Sequence, residues 1–481
     1  MISSTPYWNT LADLLNTDSG SDVVKYLRQQ GILGNTAQVM DFTSIKKQEL
    51  PAPIGPWVPT PQNGNIEYKR NDPWDKYLWL EERDVLDSAK DENTFRVCLI
   101  GESVAAGMFF APTATPSKVL NHQLNSMLAS TGKTAEVIDL SRNAMRAELL
   151  VQMVDSATQL NPDWIIVFAG NNFCRNHTIG RPDLPLPTSE QIKAIQKDGL
   201  QGLFDHFNQQ LETTTKQIIK SITSSTIDRS IDLLWVIPTT SYHWPRWAPP
   251  PRIGNLKLKA WYNHFDQVAN CLEKKKYSAL LERAKDMLEL DRGLCPTTYR
   301  LLAMAYRGLG EMDTAYQYAE KEVDIDCILQ RNSFLAPGIQ SNVKDLIRNS
   351  AVKHGFSFVD LDNVFAAEEN GKYFVDYCHL TLEGMQKLSQ VVSDQLVGEL
   401  SKNMNPHSAE NDKFNIDKTK FARGHFEAAI YNCHLRTQLC ANSEAMVPLF
   451  LEALDICKDI GNDMINYVRM QVGKCVHQVS P

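Results

Sequence analysis

The chain has 481 residues, 43% of them hydrophobic, with 49 Lys plus Arg against 57 Asp plus Glu and a formal net charge of -8. That length allows two to four structural units and a large core. The acidic balance argues against a chain built mainly to coat nucleic acid or an anionic membrane, and the ordinary share of apolar and charged residues excludes wholesale disorder.

Residues 1–94 read as a small amphipathic helix over Leu11–Gln29, then an irregular Pro-rich connector, PAPIGPWVPTPQ at 51–62. The first residues, MISSTPYWNTLADLL, lack the basic start, apolar stretch and small-residue cleavage site of a secretory signal. The longest apolar stretches, Trp164–Gly170 and Leu233–Pro238, fall far short of the roughly 18 to 20 residues that cross a bilayer. No membrane span is expected, and the cytoplasm is the default location. Ten cysteines without a CxxC pair or zinc-like spacing are expected to be reduced and partly buried.

From Phe95 a strand, loop and helix cycle begins. FRVCLIG (95–101) precedes a helical stretch at Ser117–Ala129, EVIDLS (136–141) precedes AELLVQMVDSATQL, and DWIIVFAG (163–170) precedes a long helical region over Ser189–Ser221. IDLLWVIP (231–238) and FSFVDL (356–361) supply two further strands. Continuous apolar strands alternating with helices predict an α/β fold whose parallel sheet is covered on both faces, with ligands bound beyond the carboxyl ends of the strands. The expected division is 1–94, a sheet domain over 95–255 and 333–402, a helical insertion over 256–332, and a helical extension over 403–481. Leu302, Ala303, Tyr306, Gly308, Gly310, Ala315, Tyr318 and Ala319 in the insertion have tetratricopeptide-like spacing, making about one and a half repeats with the preceding segment. So few repeats must lean on a neighbour, the flanking domain or the helices expected at 414–476.

Three segments at strand ends hold the parts of a nucleophilic site. GESVAAG puts Ser103 after the first strand, AGNNF puts Asn172 after the third, and DYCHLTLEG puts Asp376 three residues before His379. A serine hydroxyl needs a base to take its proton, and the base needs a carboxylate to fix its tautomer. Singly each signal is ordinary: a serine after a strand is more often a helix cap.

In this order and context the segments resemble the SGNH (GDSL-type) hydrolase family, with GES for its GDS block, GNN for its GxN block and DYCH for its DxxH block. The resemblance implies a flavodoxin-like three-layer α/β/α sandwich, with Ser103 as nucleophile, His379 as base and Asp376 orienting it. It also implies an oxyanion hole from the Ser103 amide and the Asn172 side chain. A subgroup of the family carries tetratricopeptide units inserted before the last strand, preceded by a Pro/Trp-rich loop, and SYHWPRWAPP at 241–250 resembles that loop. Glu102 replaces the family's aspartate. The family's glycine block, which gives a further oxyanion amide, reads DLSRNAMRAE here, with Ala144 its first counterpart and Ser141 its second, so the amide is kept but a left-handed backbone there would be costly.

Arg146, Arg175 and His177 border the expected crevice and are candidates for an anionic substrate group, while His243 and Trp244 are candidates for a lid or aromatic platform. No HExxH, GxxxxGK or GxGxxG is present, so neither metal nor cofactor is expected. Three functions fit: hydrolysis of a small or carrier-bound ester or thioester, acyl transfer through the same acyl-serine, or a non-catalytic interaction module. The helical insertion is the expected surface for a protein partner.

Overall fold

Along TFRVCLIG, Phe95, Val97 and Leu99 enter one hydrophobic core while Cys98 and Ile100 enter another. The same alternation holds at Trp164, Ile166 and Phe168 against Ile165 and Val167, and at Leu234 and Val236 against Leu233, Trp235 and Ile237. Side chains alternate across a strand, so an unbroken apolar run needs cover on both faces. The structure is a computed structural model that describes residues 51–62, 65–71, 78–176, 189–244, 251, 255–329, 338–365, 370–400, 414, 416–434 and 447–478. The helix expected at Leu11–Gln29 lies outside them.

In chain order the elements begin with strands β1 (Trp57–Gln62), β2 (Asn65–Arg70), β3 (Val85–Asp87) and β4 (Thr94–Gly101). Helices α1 (Ser103–Ala106) and α2 (Pro116–Leu128), strand β5 (Thr134–Asp139), helix α3 (Ala147–Ala157) and strand β6 (Trp164–Phe168) follow. Next come α4 (Ser189–Ile227), β7 (Asp232–Ile237) and the helices α5 (Asn255–Glu273), α6 (Tyr277–Asp291), α7 (Pro296–Gly308) and α8 (Met312–Leu329). The chain continues through α9 (Ser341–His354), β8 (Ser357–Asp360), α10 (Leu361–Val364) and α11 (Leu382–Leu400). Three helices close it: α12 (Lys418–His434), α13 (Val447–Ile456) and α14 (Ile460–Gln478).

The main sheet is parallel, in the order β5-β4-β6-β7-β8. This is the doubly wound 2-1-3-4-5 order, whose topological switch point falls between β4 and β6. Residues of α2 and α11 share one core with Phe95, Ile166 and Val236, and residues of α3, α4 and α9 share the other with Ile100, Val167 and Trp235. Each large side chain so buried contributes roughly 1.5 to 3 kcal/mol.

Two local expectations differ from what is found. The Pro-rich stretch is not wholly irregular, because Trp57–Gln62 forms β1 in a three-stranded antiparallel sheet ordered β1-β2-β3. β1 is an edge strand, and Pro59 and Pro61, two residues apart, direct their missing N–H groups to one side, so prolines fit on the outer edge. The long helix is interrupted at Asp198 and Gly199, where Gly199 has φ 61°.

The exposed edge at β5 is covered by side chains rather than by another strand. Asn125 Oδ1 accepts the Ala135 N–H at 2.9 Å, Asn121 Oδ1 the Val137 N–H at 3.0 Å and Glu81 Oε2 the Asp139 N–H at 3.1 Å, while Arg83 donates to the Val137 carbonyl at 2.7 Å. Helices α5 to α8 pack in sequence, each against the next. Among the described residues no helix is long and apolar enough to cross a membrane. Cys98, Cys174, Cys271, Cys295, Cys327 and Cys378 are buried free thiols, and Cys457 is a partly exposed one.

Candidate active site

At Gly101, the last residue of β4, the backbone passes too close to β6 for any side chain: a Cβ there would stand 2.2 Å from the Phe168 carbonyl oxygen. Glu102 then turns the chain, and Ser103 opens the single turn α1. Across the crevice, the segment between β8 and α11 brings up Asp376 and His379.

His379 Nε2 lies 2.8 Å from Ser103 Oγ, and His379 Nδ1 lies 2.7 Å from Asp376 Oδ2. The other carboxylate oxygen, Oδ1, accepts the backbone N–H groups of Cys378 at 2.9 Å and His379 at 2.7 Å, so Asp376 is fixed by the turn it belongs to. Asp376 is 0% and His379 3% exposed. Burial by itself would lower the histidine pKa, yet the Asp376 carboxylate and its hydrogen bond hold it well above the usual 6.5. Cys378 Sγ lies 3.7 Å from His379 Nδ1, and burial raises the thiol's pKa, which keeps it neutral.

Asp376, Cys378 and His379 are also the one group among the described residues with metal-ligating atoms clustered, all within 4.8 Å. Those atoms are engaged with one another and with Ser103.

The loop after β6 is fastened from below by Glu102, a buried carboxylate. Its oxygens accept three successive backbone N–H groups, Gly170 at 3.2 Å, Asn171 at 2.9 Å and Asn172 at 2.8 Å. Asn172 Nδ2 donates to the Met145 carbonyl at 3.0 Å, which orients the side-chain amide and leaves its second N–H. Asn171 Oδ1 instead accepts the Ile339 N–H at 3.1 Å, so the adjacent asparagine anchors the segment entering α9. Ala144 has φ 56°, the left-handed conformation that glycine would adopt without strain. It is exposed, and Ser141 is buried, its Oγ 3.4 Å from the Leu99 carbonyl.

The remaining candidates fall in different places. Arg146 precedes α3 with an exposed side chain, and no hydrogen bond or ion pair among the described residues joins it to Ser103, Asn172 or His379. Arg175 lies on the short turn Phe173–Asn176 after β6, and only its backbone is described. His177 lies outside the described residues, as does 245–250 of the Pro/Trp-rich loop. His243 turns to the helical segment, with Nδ1 3.4 Å from Arg307 Nη1 on α7. Trp244 packs on Tyr377 and Cys378.

The loop that carries Trp244 is held from two sides. The Ser241 N–H donates to the Tyr377 carbonyl at 2.8 Å, inside the Asp-x-x-His segment. Tyr242 stands among α8, α9 and α10: its hydroxyl donates to Asp362 Oδ1 at 3.3 Å and lies 3.3 Å from the Tyr316 hydroxyl, while Lys344 Nζ donates to it at 3.4 Å. Buried Lys344 also pairs with Asp362 at 2.6 Å and Glu320 at 2.9 Å. Removing the lysine would strand a buried carboxylate, so this joint between the helical segment and the site loop is costly to break.

Several residues around the site carry no recognisable sequence signal. Phe109 meets the His379 ring edge to face, with centroids 5.2 Å apart at 81°, and Tyr431 of α12 meets Phe109 at 5.4 Å and 69°. Glu102 could be read only as a substituted aspartate, and its three amide contacts appear only when β4 and β6 lie side by side.

No protein-family model matches the chain, and no curated protein matches it. Solved structures that match include the lipase/acylhydrolase from Enterococcus faecalis, at 12% identity over 65% of this chain and 99% of that one, with a TM-score of 0.28. A GDSL-like lipase from Bacteroides thetaiotaomicron matches at 10% identity over 66% and 93%, with a TM-score of 0.29. An extracellular lipase from Streptomyces rimosus matches at 12% identity over 61% and 95%, with a TM-score of 0.28. At such TM-scores these likenesses add no weight to the residue geometry.

Proposed function

We propose that the chain is a serine ester hydrolase of the SGNH type, working through an acyl-serine intermediate on an ester or thioester. The observation that carries this reading is the contact of 2.8 Å between Ser103 Oγ and His379 Nε2, backed by Asp376 and set at the switch point of a parallel sheet.

In this reading Ser103 Oγ attacks the acyl carbonyl carbon as His379 Nε2 takes the hydroxyl proton. The oxyanion is met by the Ser103 backbone N–H and the second N–H of Asn172 Nδ2, with the Ala144 N–H as a third donor. When the tetrahedral adduct collapses, His379 returns the proton to the leaving oxygen or sulfur, and the acyl group stays on Ser103. Water then attacks the acyl-enzyme as His379 takes its proton, and when this second adduct collapses the carboxylic acid leaves while His379 returns the proton to Ser103 Oγ. Asp376 keeps Nδ1 protonated and stabilises the imidazolium at both steps.

The rest of the organisation follows as part of the same proposal. A sheet domain is interrupted by a tetratricopeptide-like insertion at 256–332, a reading supported by the successive pairing of α5 to α8 and by their joint to the Trp244 loop. A carrier or protein substrate docking on these helices would lie next to the loop bordering the catalytic histidine.

The direct test is a quenched reaction with short acyl esters and thioesters, followed by peptide mass mapping. The expected result is a transient acyl adduct on Ser103, absent in Ser103→Ala. Turnover that persists in Ser103→Ala would reject the reading.

A further inference from the structure

Helix α12, the first of the last three helices, has no part in the mechanism as described, yet it reaches the catalytic histidine through the Phe109 side chain. We propose that Phe109, held in place by α12, forms the wall against which the leaving group of the ester lies, so that α12 sets leaving-group specificity. This rests on the hydrolase reading above.

Three independent observations converge on Phe109. It has φ 79°, a left-handed conformation rarely adopted by a bulky residue and one that persists only where the surroundings enforce it. Its neighbour Phe110 is 2% exposed and packs against Phe421 and His425 of α12 at 5.0 and 5.1 Å. The unusual turn therefore buries one ring and directs the next to His379.

The second observation is clearance. A Cβ at Gly424 of α12 would stand 2.4 Å from Phe110 Cδ1 and 3.0 Å from the Phe109 carbonyl oxygen, so the helix backbone rests directly on the 109–110 turn. The third is the ring series itself, in which Tyr431 of α12 abuts Phe109 and Phe109 abuts His379.

Location gives the function. His379 hands its proton to the leaving oxygen, so the group attached to that oxygen must lie beside the imidazole, where Phe109 stands half-buried. A phenyl wall there favours alkyl or aryl alcohols as leaving groups over small polar ones. Phe109 is thus a specificity residue, and Tyr431 and Gly424 are positioning residues that act through it.

The test holds the acyl group constant and varies the alcohol, comparing kcat/KM for ethyl and hexyl butyrate, with fluorophosphonate labelling measured in parallel. The native protein should favour the hexyl ester. Phe109→Ala should cut the hexyl-to-ethyl ratio about tenfold, the scale of a few lost apolar contacts, with Phe109→Leu intermediate. Tyr431→Ala should lower the ratio in the same direction, and Tyr431→Phe should restore it. Native protein that labels but shows no hexyl preference, or a ratio unmoved in both Phe109 variants, overturns the inference alone. Native protein that neither labels nor hydrolyses either ester overturns the hydrolase reading, and the inference falls with it.

Discussion

The Glu102 carboxylate accepts the Asn172 backbone N–H at 2.8 Å, so the residue directly before Ser103 also fixes the loop that carries the candidate oxyanion amide. One side chain thereby sets the distance between two parts of the site that are far apart in sequence. A carboxylate suits the task because it only accepts, and here it faces three donors. In Glu102→Gln an amide N–H would be turned toward one of those donors. The expected outcome is a stability loss of about 1 to 3 kcal/mol in denaturant unfolding, with serine labelling slowed at least about tenfold as Asn172 loses its position. Unchanged stability together with unchanged labelling would show that Glu102 does not organise the site.

Ala144 pays for a left-handed backbone, φ 56°, that a glycine would hold without a clashing Cβ. Relieving that strain should outweigh the added flexibility of the unfolded chain, so Ala144→Gly is expected to raise stability by about 1 kcal/mol. Thermal and denaturant melts read this directly. A loss of stability would mean that the turn is held by contacts the Cβ supplies.

The sign of the pH dependence follows from His379. Its folded-state pKa is raised: burial opposes the imidazolium, but the Asp376 charge and hydrogen bond outweigh it. Attack by Ser103 needs the neutral imidazole, so labelling should rise with pH and level off only beyond a midpoint above the usual 6.5. Asp376→Asn should move that midpoint down and lower the plateau about a thousandfold or more. Because the folded pKa exceeds the unfolded one, this group's stabilising contribution is complete below the unfolded value and is lost as pH rises through the folded value. A midpoint below the usual value in the native protein would contradict the coupling to Asp376.

Some of this was legible in the sequence. The apolar runs at 163–170 and 231–238 contain β6 and β7, and the run at 95–101 matches β4 except for Thr94, because a strand buried on both faces leaves an unbroken apolar signature. Ser103, Asn172, Asp376 and His379 each stand in a short block at the end of a strand or ahead of a helix, which is why local reading could single them out. The strand at Trp57–Gln62 was hidden by its prolines, which mark a loop unless the strand is known to lie at an edge. The break at Asp198 and Gly199 had a signal, a glycine within helical periodicity, but tertiary packing decides whether such a glycine bends a helix. Phe109 and Tyr431 could not be paired in advance, because more than 300 residues separate them and neither belongs to a motif.

Hydrolysis through an acyl-serine requires that His379 activate Ser103. Intact mass after incubation with a fluorophosphonate should show a single adduct on the native protein and none on Ser103→Ala or His379→Ala, each confirmed as folded by circular dichroism. An adduct that survives in Ser103→Ala, or native folded protein that takes up no reagent at any pH at which His379 is neutral, would contradict it.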